Sequence, residues 1–196
     1  MDSTLRRTWA EIDMDALAHN YETLRKRIGE NVKFLGVVKA DAYGHGSVQV
    51  SRLLQESGAD YLAVSSIDEA VELRHNGITM PVLILGHTPK EEVSELIKNN
   101  ITQAVTCRAK ALEYSEEAVK CGGTLKIHIK VDTGMSRLGY LCDWKIILKA
   151  VLKEYVKAVL FRVLMLREYS HILQYLMNLE KNMKAILSIS LNCLPV

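Results

Sequence analysis

The strongest constraint in this chain is the order in which two hydrophobic periods alternate. Apolar runs at 32–39, 61–64 and 81–86, a weaker one at 103–106 and an alternating stretch at 125–132 read as strands. Between them, apolar residues recur at helical spacing. Val48, Val50, Leu53 and Leu54 form one such set, and Ile67, Ala70, Val71 and Leu73 a second. Val93, Leu96 and Ile97 form a third, and Ala111, Leu112, Tyr114 and Ala118 a fourth. Strands joined through helices by short connections lie parallel in one sheet with right-handed crossovers. The pattern therefore predicts an α/β fold, either an eight-fold barrel or an open doubly wound sheet. Neither GxGxxG nor GxxxxGK[ST] is present to favour the open sheet. A full barrel takes ~250 residues, and a chain of 196 runs out near the sixth strand–helix unit.

Local signals sharpen the boundaries. Residues 8–13 alternate apolar and polar and read as a short strand. Asp13 can cap a helix carrying Leu17, Tyr21, Leu24 and Ile28 on one face, stopped at Gly29. Asn76-Gly77 and Gly122-Gly123 close later helices, and Thr88 with Pro89 after it reads as a cap with proline in the first turn. Trp144, Ile147, Leu148 and Val151 predict a further helix.

Charge and cysteine usage exclude several functions. A net charge of +2 leaves no electrostatic footprint for nucleic acid or an anionic membrane. There is no apolar run of membrane-spanning length, and residues 1–7 lack the apolar core of a signal peptide. Cys107, Cys121, Cys142 and Cys193 form no CxxC pair and have no histidine at zinc-ligand spacing. The expectation is a cytoplasmic protein with reduced, mostly buried thiols and no metal.

The chemistry concentrates in Val37-Val38-Lys39-Ala40-Asp41-Ala42-Tyr43-Gly44-His45-Gly46. An amine at the end of a buried strand is costly unless neutral, paired or covalently used. Strand ends are also where parallel α/β proteins place their chemistry. Lys39 thus reads as a reactive amine that holds a carbonyl cofactor as a Schiff base; the plain alternative is a lysine snorkelling to solvent. Tyr43 offers a hydroxyl donor for a phosphate oxygen, or is a half-buried loop aromatic. Gly44 and Gly46 supply unusual backbone angles, and His45 is a hydrogen-bonding residue of the turn. Arg137, after Asp132-Thr133-Gly134, can present two donors to a carboxylate or phenolate, or stand exposed on a loop. Lys130, in the fifth strand, could point inward.

Taken together, Val38-Lys39-Ala40-Asp41-Ala42-Tyr43-Gly44-His45-Gly46 and Lys130-Val131-Asp132-Thr133-Gly134-Met135-Ser136-Arg137-Leu138-Gly139 resemble the two N-terminal signatures of alanine racemase. The resemblance runs from about Thr8 to Lys157 and includes Glu11-Ile12-Asp13 and Leu83-Ile84-Leu85-Gly86. It implies a partial TIM (β/α)8 barrel of the alanine racemase type, without the rest of the barrel and the β-rich C-terminal domain. It also implies pyridoxal 5′-phosphate, L- and D-alanine as substrates, D-alanine supply for peptidoglycan, and a head-to-tail homodimer. By resemblance Lys39 carries the cofactor and is the base on one face of the substrate, and Tyr43 helps hold the phosphate. Val37 and Leu85 line the ring, and Arg137 orients the phenolic side and the substrate. Lys130 matches a lysine that is carbamylated in some members and positions that arginine.

Residues 1–196 read as one N-terminal barrel portion, matching the family over 8–157 and diverging over 158–196. The family's sixth strand carries Ser/Thr-His-Phe, whereas 158–167 is apolar and has no histidine. A reading-frame disruption over 158–167, restored near Arg167, is one expectation, with a second before Leu194-Pro195-Val196. His171 falls in a stretch, 168–183, that reads as the next helix, so the ring-stacking role is not transferred to it. The resemblance further implies an opposite-face tyrosine and an arginine at the pyridine nitrogen, and the expectation is that both are missing from these 196 residues. The expectation is a weakly active or inactive, poorly soluble chain. Two other readings stay open, a non-catalytic single-domain pyridoxal-phosphate binder and a structural or interaction fragment.

Overall fold

A computed structural model describes residues 8–132, 134–141 and 164–171. Helix α1 spans Met14–Ile28 and is capped by Asp13, whose carboxylate accepts the Ala16 N–H at 2.9 Å. Gly29 ends it at φ 78°. Next in the chain come β1 (Leu35–Val37), α2 (Ser47–Glu56), β2 (Tyr61–Val64), α3 (Ile67–His75) and β3 (Val82–Ile84). A 3-10 turn at Lys90–Glu92 leads into α4 (Val93–Lys98), then β4 (Thr102–Val105), α5 (Arg108–Lys120) and β5 (Leu125–Asp132). Two further strands, β6 (Tyr140–Leu141) and β7 (Leu164–His171), complete the described elements.

All strand pairs are parallel, in the order β1-β2-β3-β4-β5, with β6 and β7 both pairing β5. Strands β2, β3 and β4 are buried at every position, which explains why β2 and β3 read as continuous apolar runs; β4 buries the polar Thr102 and Gln103 as well. One face, with Leu62, Val64, Val82, Ile84, Val105 and Ile127, packs on the helices through Leu54, Leu73, Leu96 and Tyr114. The other face carries Tyr61, Leu83 and Ala104, with Leu85 packed against them.

Several expectations are corrected. Residues 8–13 form no strand and lie exposed, since no neighbour pairs with them among the described residues. The strand expected over 32–39 is limited to Leu35–Val37, because the backbone reverses immediately beyond it. Thr88 caps no helix: its buried hydroxyl donates to Gln103 Oε1 at 2.6 Å, and Pro89 precedes a 3-10 turn instead. Residues 168–171 belong to β7, not to a helix, because their backbone pairs with β5 from His128 to Val131. Cys107 and Cys121 are exposed rather than buried, since they sit at the two ends of α5. The expected helix through Trp144 lies outside the described residues, as do Cys142, Cys193 and 172–183.

Two tertiary ties fix the strand ends. The Asp60 carboxylate accepts the Phe34 N–H at 2.6 Å and Arg25 Nη2 at 2.7 Å, joining α1 to the entry of β1. Gly86, just past β3, runs so close to β2 that a side-chain carbon there would collide with the Ser65 carbonyl oxygen.

Three outcomes are expected. Leu62→Ala, at a fully buried site, should cost about 2–5 kcal/mol of unfolding free energy in a denaturant titration. Gly86→Ala should separate the ends of β2 and β3 and lower the melting temperature, because the obstacle is backbone rather than a flexible side chain. The hydrogen bond from the Phe34 N–H and then that from Arg25 hold the Asp60 carboxyl below its ordinary value. Its stabilisation is therefore present above the ordinary carboxylate range and lost as pH falls through the lowered value. The melting-temperature gap between the native chain and Asp60→Asn should close on acidification.

Candidate active site

Lys39 comes directly after β1. Val38 continues the pairing, its N–H donating to the Ala63 carbonyl at 2.9 Å, and then the chain turns sharply. Ala40, Asp41, Ala42 and Tyr43 all adopt left-handed angles, with φ of 51°, 54°, 51° and 57°. Such a run costs about 1–2 kcal/mol per non-glycine residue. The special angles expected at Gly44 and Gly46 are present, both at φ 89°. The reversal nevertheless begins four residues earlier, in residues that carry side chains, and no local signal announced it.

Contacts from both sides hold this turn. The Ala42 N–H donates to the Val38 carbonyl and the Gly46 N–H to the Asp41 carbonyl, each at 3.0 Å. The Asp41 carboxylate accepts the Ser47 N–H at 2.7 Å at the start of α2. His45 Nδ1 lies 2.9 Å from the Ala42 carbonyl oxygen, the hydrogen-bonding role expected of it. Glu69 of α3 was missed from sequence. Its carboxylate accepts the Ala40 N–H at 2.7 Å, the Ser65 N–H at 2.7 Å and the Ser65 hydroxyl at 2.8 Å. Burial pushes the Glu69 carboxyl up, but hydrogen bonds from Ser65, Ala40 and Ser66 outweigh it, and the net shift is downward. The available signal was Ser66-Ile67-Asp68-Glu69, which has capping-box spacing. Ser66 does cap α3, accepting the Glu69 N–H at 3.4 Å, while the carboxylate bonds Ser65 and Ala40.

Lys130 points inward, as expected: it is only 3% exposed. Burial lowers its amine's pKa, the charges of Arg137 and Lys39 lower it further, and Asp132 opposes them. Lys130 thus feels the charge of both Lys39 and Arg137, the other two cations singled out by sequence. The Asp132 carboxylate is occupied by its own loop, accepting N–H donors from Gly134 and Ser136 at 2.9 Å and Arg137 at 2.7 Å. These bonds hold its carboxyl below the usual range and shape the loop that carries Arg137. Gly139 closes the loop at φ 129°, where a side-chain carbon would lie 2.8 Å from the Asp132 nitrogen.

The remaining candidates are less enclosed. The Tyr43 side chain is exposed, with its ring centroid 6.0 Å from Lys39 Nζ. Val37 lies on the same sheet face as Tyr61 and is 41% exposed, and Leu85 packs with Tyr61, Leu83 and Ala104. His171 falls in register with Val131, at the end of β7. Among the described residues no group of three metal-ligating side chains is found. Lys39, Lys130 and Arg137 with the Tyr43 hydroxyl form a cationic donor set. Asp132 and Glu69 are committed to backbone donors. Such a set suits an anionic ligand whose carbonyl can meet an amine.

The Alanine racemase, N-terminal domain family model matches residues 12–165. Alanine racemase 2 of Caldanaerobacter subterraneus subsp. tengcongensis is 44% identical over 140 residues, covering 71% of this chain and 36% of the relative. Alanine racemase 1 of Clostridium acetobutylicum is 50% identical over 137 residues, covering 70% and 35%. Among solved structures, the Clostridium difficile 630 alanine racemase superposes with a TM-score of 0.77 at 38% identity, covering 84% of this chain and 42% of that one. A Bacillus anthracis alanine racemase with bound L-Ala-P gives 0.72 at 35% identity, covering 84% and 41%. The chain therefore spans well under half the length of these relatives, and its sheet corresponds to part of their TIM-like barrel. By sequence and by fold, it belongs to the alanine racemase N-terminal domain family.

Proposed function

We propose that this site holds pyridoxal 5′-phosphate through Lys39 and serves the interconversion of L- and D-alanine. One observation carries the reading: Lys39 follows the end of β1, at the start of a left-handed turn, and buried Lys130 feels its charge together with that of Arg137. The family supports the substrate, and a Bacillus anthracis relative holds L-Ala-P. When bound, this cofactor supplies an electron sink that weakens the Cα–H bond of an amino acid.

Each of the chain's own residues has a part. Lys39 Nζ is the amine that engages the cofactor aldehyde, and when free it takes or returns a proton on one face of Cα. Tyr43 Oη donates to a phosphate oxygen, and its exposed position leaves it free to reach one. Val37 and Leu85, on the inner sheet face, lie against the ring. Arg137 orients the phenolic oxygen and the substrate carboxylate with paired donors. Lys130, whose depressed pKa favours the neutral amine, is the candidate for carbamylation; its carbamate would then pair with Arg137.

The same proposal takes residues 1–196 as one N-terminal barrel portion, family-like over 8–157 and divergent over 158–196. Homodimer assembly, D-alanine supply for peptidoglycan and a cytoplasmic setting belong to the same proposal. No helix among the described residues is long and apolar enough to cross a membrane. Racemisation needs proton transfer on both faces of Cα, and among the described residues Lys39 is our candidate on one face. For this 196-residue chain by itself we therefore propose weak or no turnover.

The test is to mix purified chain with pyridoxal 5′-phosphate and record its visible spectrum. A new absorbance band that Lys39→Ala abolishes is the expected result. No such band would overturn the cofactor reading. A band without exchange of D- and L-alanine, monitored by chiral chromatography, is expected for the isolated chain. Ready interconversion would overturn the proposed weakness.

A further inference from the structure

Glu69 touches no residue of the proposed cofactor set through a side chain, yet it bonds the backbone one residue beyond Lys39. The Ala40 N–H belongs to the planar peptide that joins Lys39 to Ala40. Holding that N–H at 2.7 Å fixes the peptide plane, and with it the ψ angle of Lys39 and the φ angle of Ala40, so that Lys39 Cα is anchored from its C-terminal side. The other carboxylate oxygen holds the Ser65 N–H and hydroxyl at the end of β2. One carboxylate on α3 thereby bolts the ends of two neighbouring strands together, where the costly left-handed run begins. Ala40 is the first residue of that run, at φ 51°.

We propose that Glu69 is a positioning residue for Lys39: through the Ala40 N–H it stabilises the left-handed turn and sets the presentation of the Lys39 amine. The proposal deepens the cofactor reading and rests on it for its relevance to catalysis, but its test needs no cofactor. A carboxylate suits this task because it accepts from two backbone N–H groups at once, and hydrogen bonds to a charged acceptor are the stronger kind. Glutamine at this position would turn an NH2 group toward one of those donors. Aspartate keeps the charge beside the α3 N-terminus but shortens the reach by one methylene.

Trace acetylation of the cofactor-free chain with acetic anhydride, read by peptide mass spectrometry, gives the reactivity of Lys39 relative to exposed Lys26. Glu69→Gln and Glu69→Asp should each change that ratio by about three-fold or more, since each weakens a charge-assisted bond that holds the turn. Adding Ala40→Gly to Glu69→Gln should move the ratio back toward the native value, because glycine adopts positive φ without the Cβ penalty. A ratio unchanged in the variants would overturn the proposal. Failure of Ala40→Gly to restore it would also do so, since a loss of α3 capping alone would not respond to residue 40. Glu69→Asp, which preserves the charge at the helix start, is the variant to read if Glu69→Gln does not fold. A missing Lys39-dependent absorbance band with pyridoxal 5′-phosphate would sink the cofactor reading while leaving this result intact.

Discussion

Four consecutive side-chain-bearing residues in left-handed geometry, Ala40 to Tyr43, must be held against their own backbone preference. That constraint organises the surrounding structure. The turn is gripped from β1 through Val38, from α2 through the Asp41–Ser47 bond and from α3 through Glu69. It directs Lys39 off the strand end and returns the chain to a helix within a few residues. A right-handed continuation at this point would send the backbone elsewhere, and α2 would no longer start at Ser47. Strain of this kind persists only where the surroundings over-determine it, and it is often found at functional positions.

A second constraint is charge. Lys39 and Arg137 both act on buried Lys130, and the Asp132 carboxylate opposes them only in part. The hydrogen bonds of Asp132 go to the N–H groups of its own loop, and those of Glu69 to Ala40 and Ser65. Burial and the two other cations press Lys130 toward its neutral form. Like charges gathered this way raise the free energy of the site, and an anionic ligand relieves it. The positions of these residues on rigid strand ends and a tightly bonded loop keep them from drifting apart.

The sheet was largely legible from sequence. Tyr61–Val64 coincides with its apolar run, because residues buried on both faces leave an uninterrupted apolar signature, and Leu125–Asp132 coincides with its alternating stretch. Asp13 and Gly29 marked α1 correctly, since caps are local chemistry. Thr88 misled because its hydroxyl has a buried partner, Gln103, 15 positions away in the chain. Residues 168–171 misled because a short polar stretch carries little periodicity, and only pairing with β5 makes it a strand. Within the site, Lys39, Lys130 and Arg137 were identifiable by motif, whereas Glu69 looked like an ordinary helix-capping acid.

The parallel α/β arrangement and the family are written into the linear chain, because hydrophobic period and two contiguous motifs are properties of sequence neighbours. How Lys39 is presented depends instead on packing. The left-handed angles of Ala40 to Tyr43 run against local propensity, and they are maintained by a carboxylate 29 residues away and a strand end that only folding brings alongside. No local rule at positions 40–43 could announce that geometry, since the interactions that stabilise it do not exist until β1, β2 and α3 have packed.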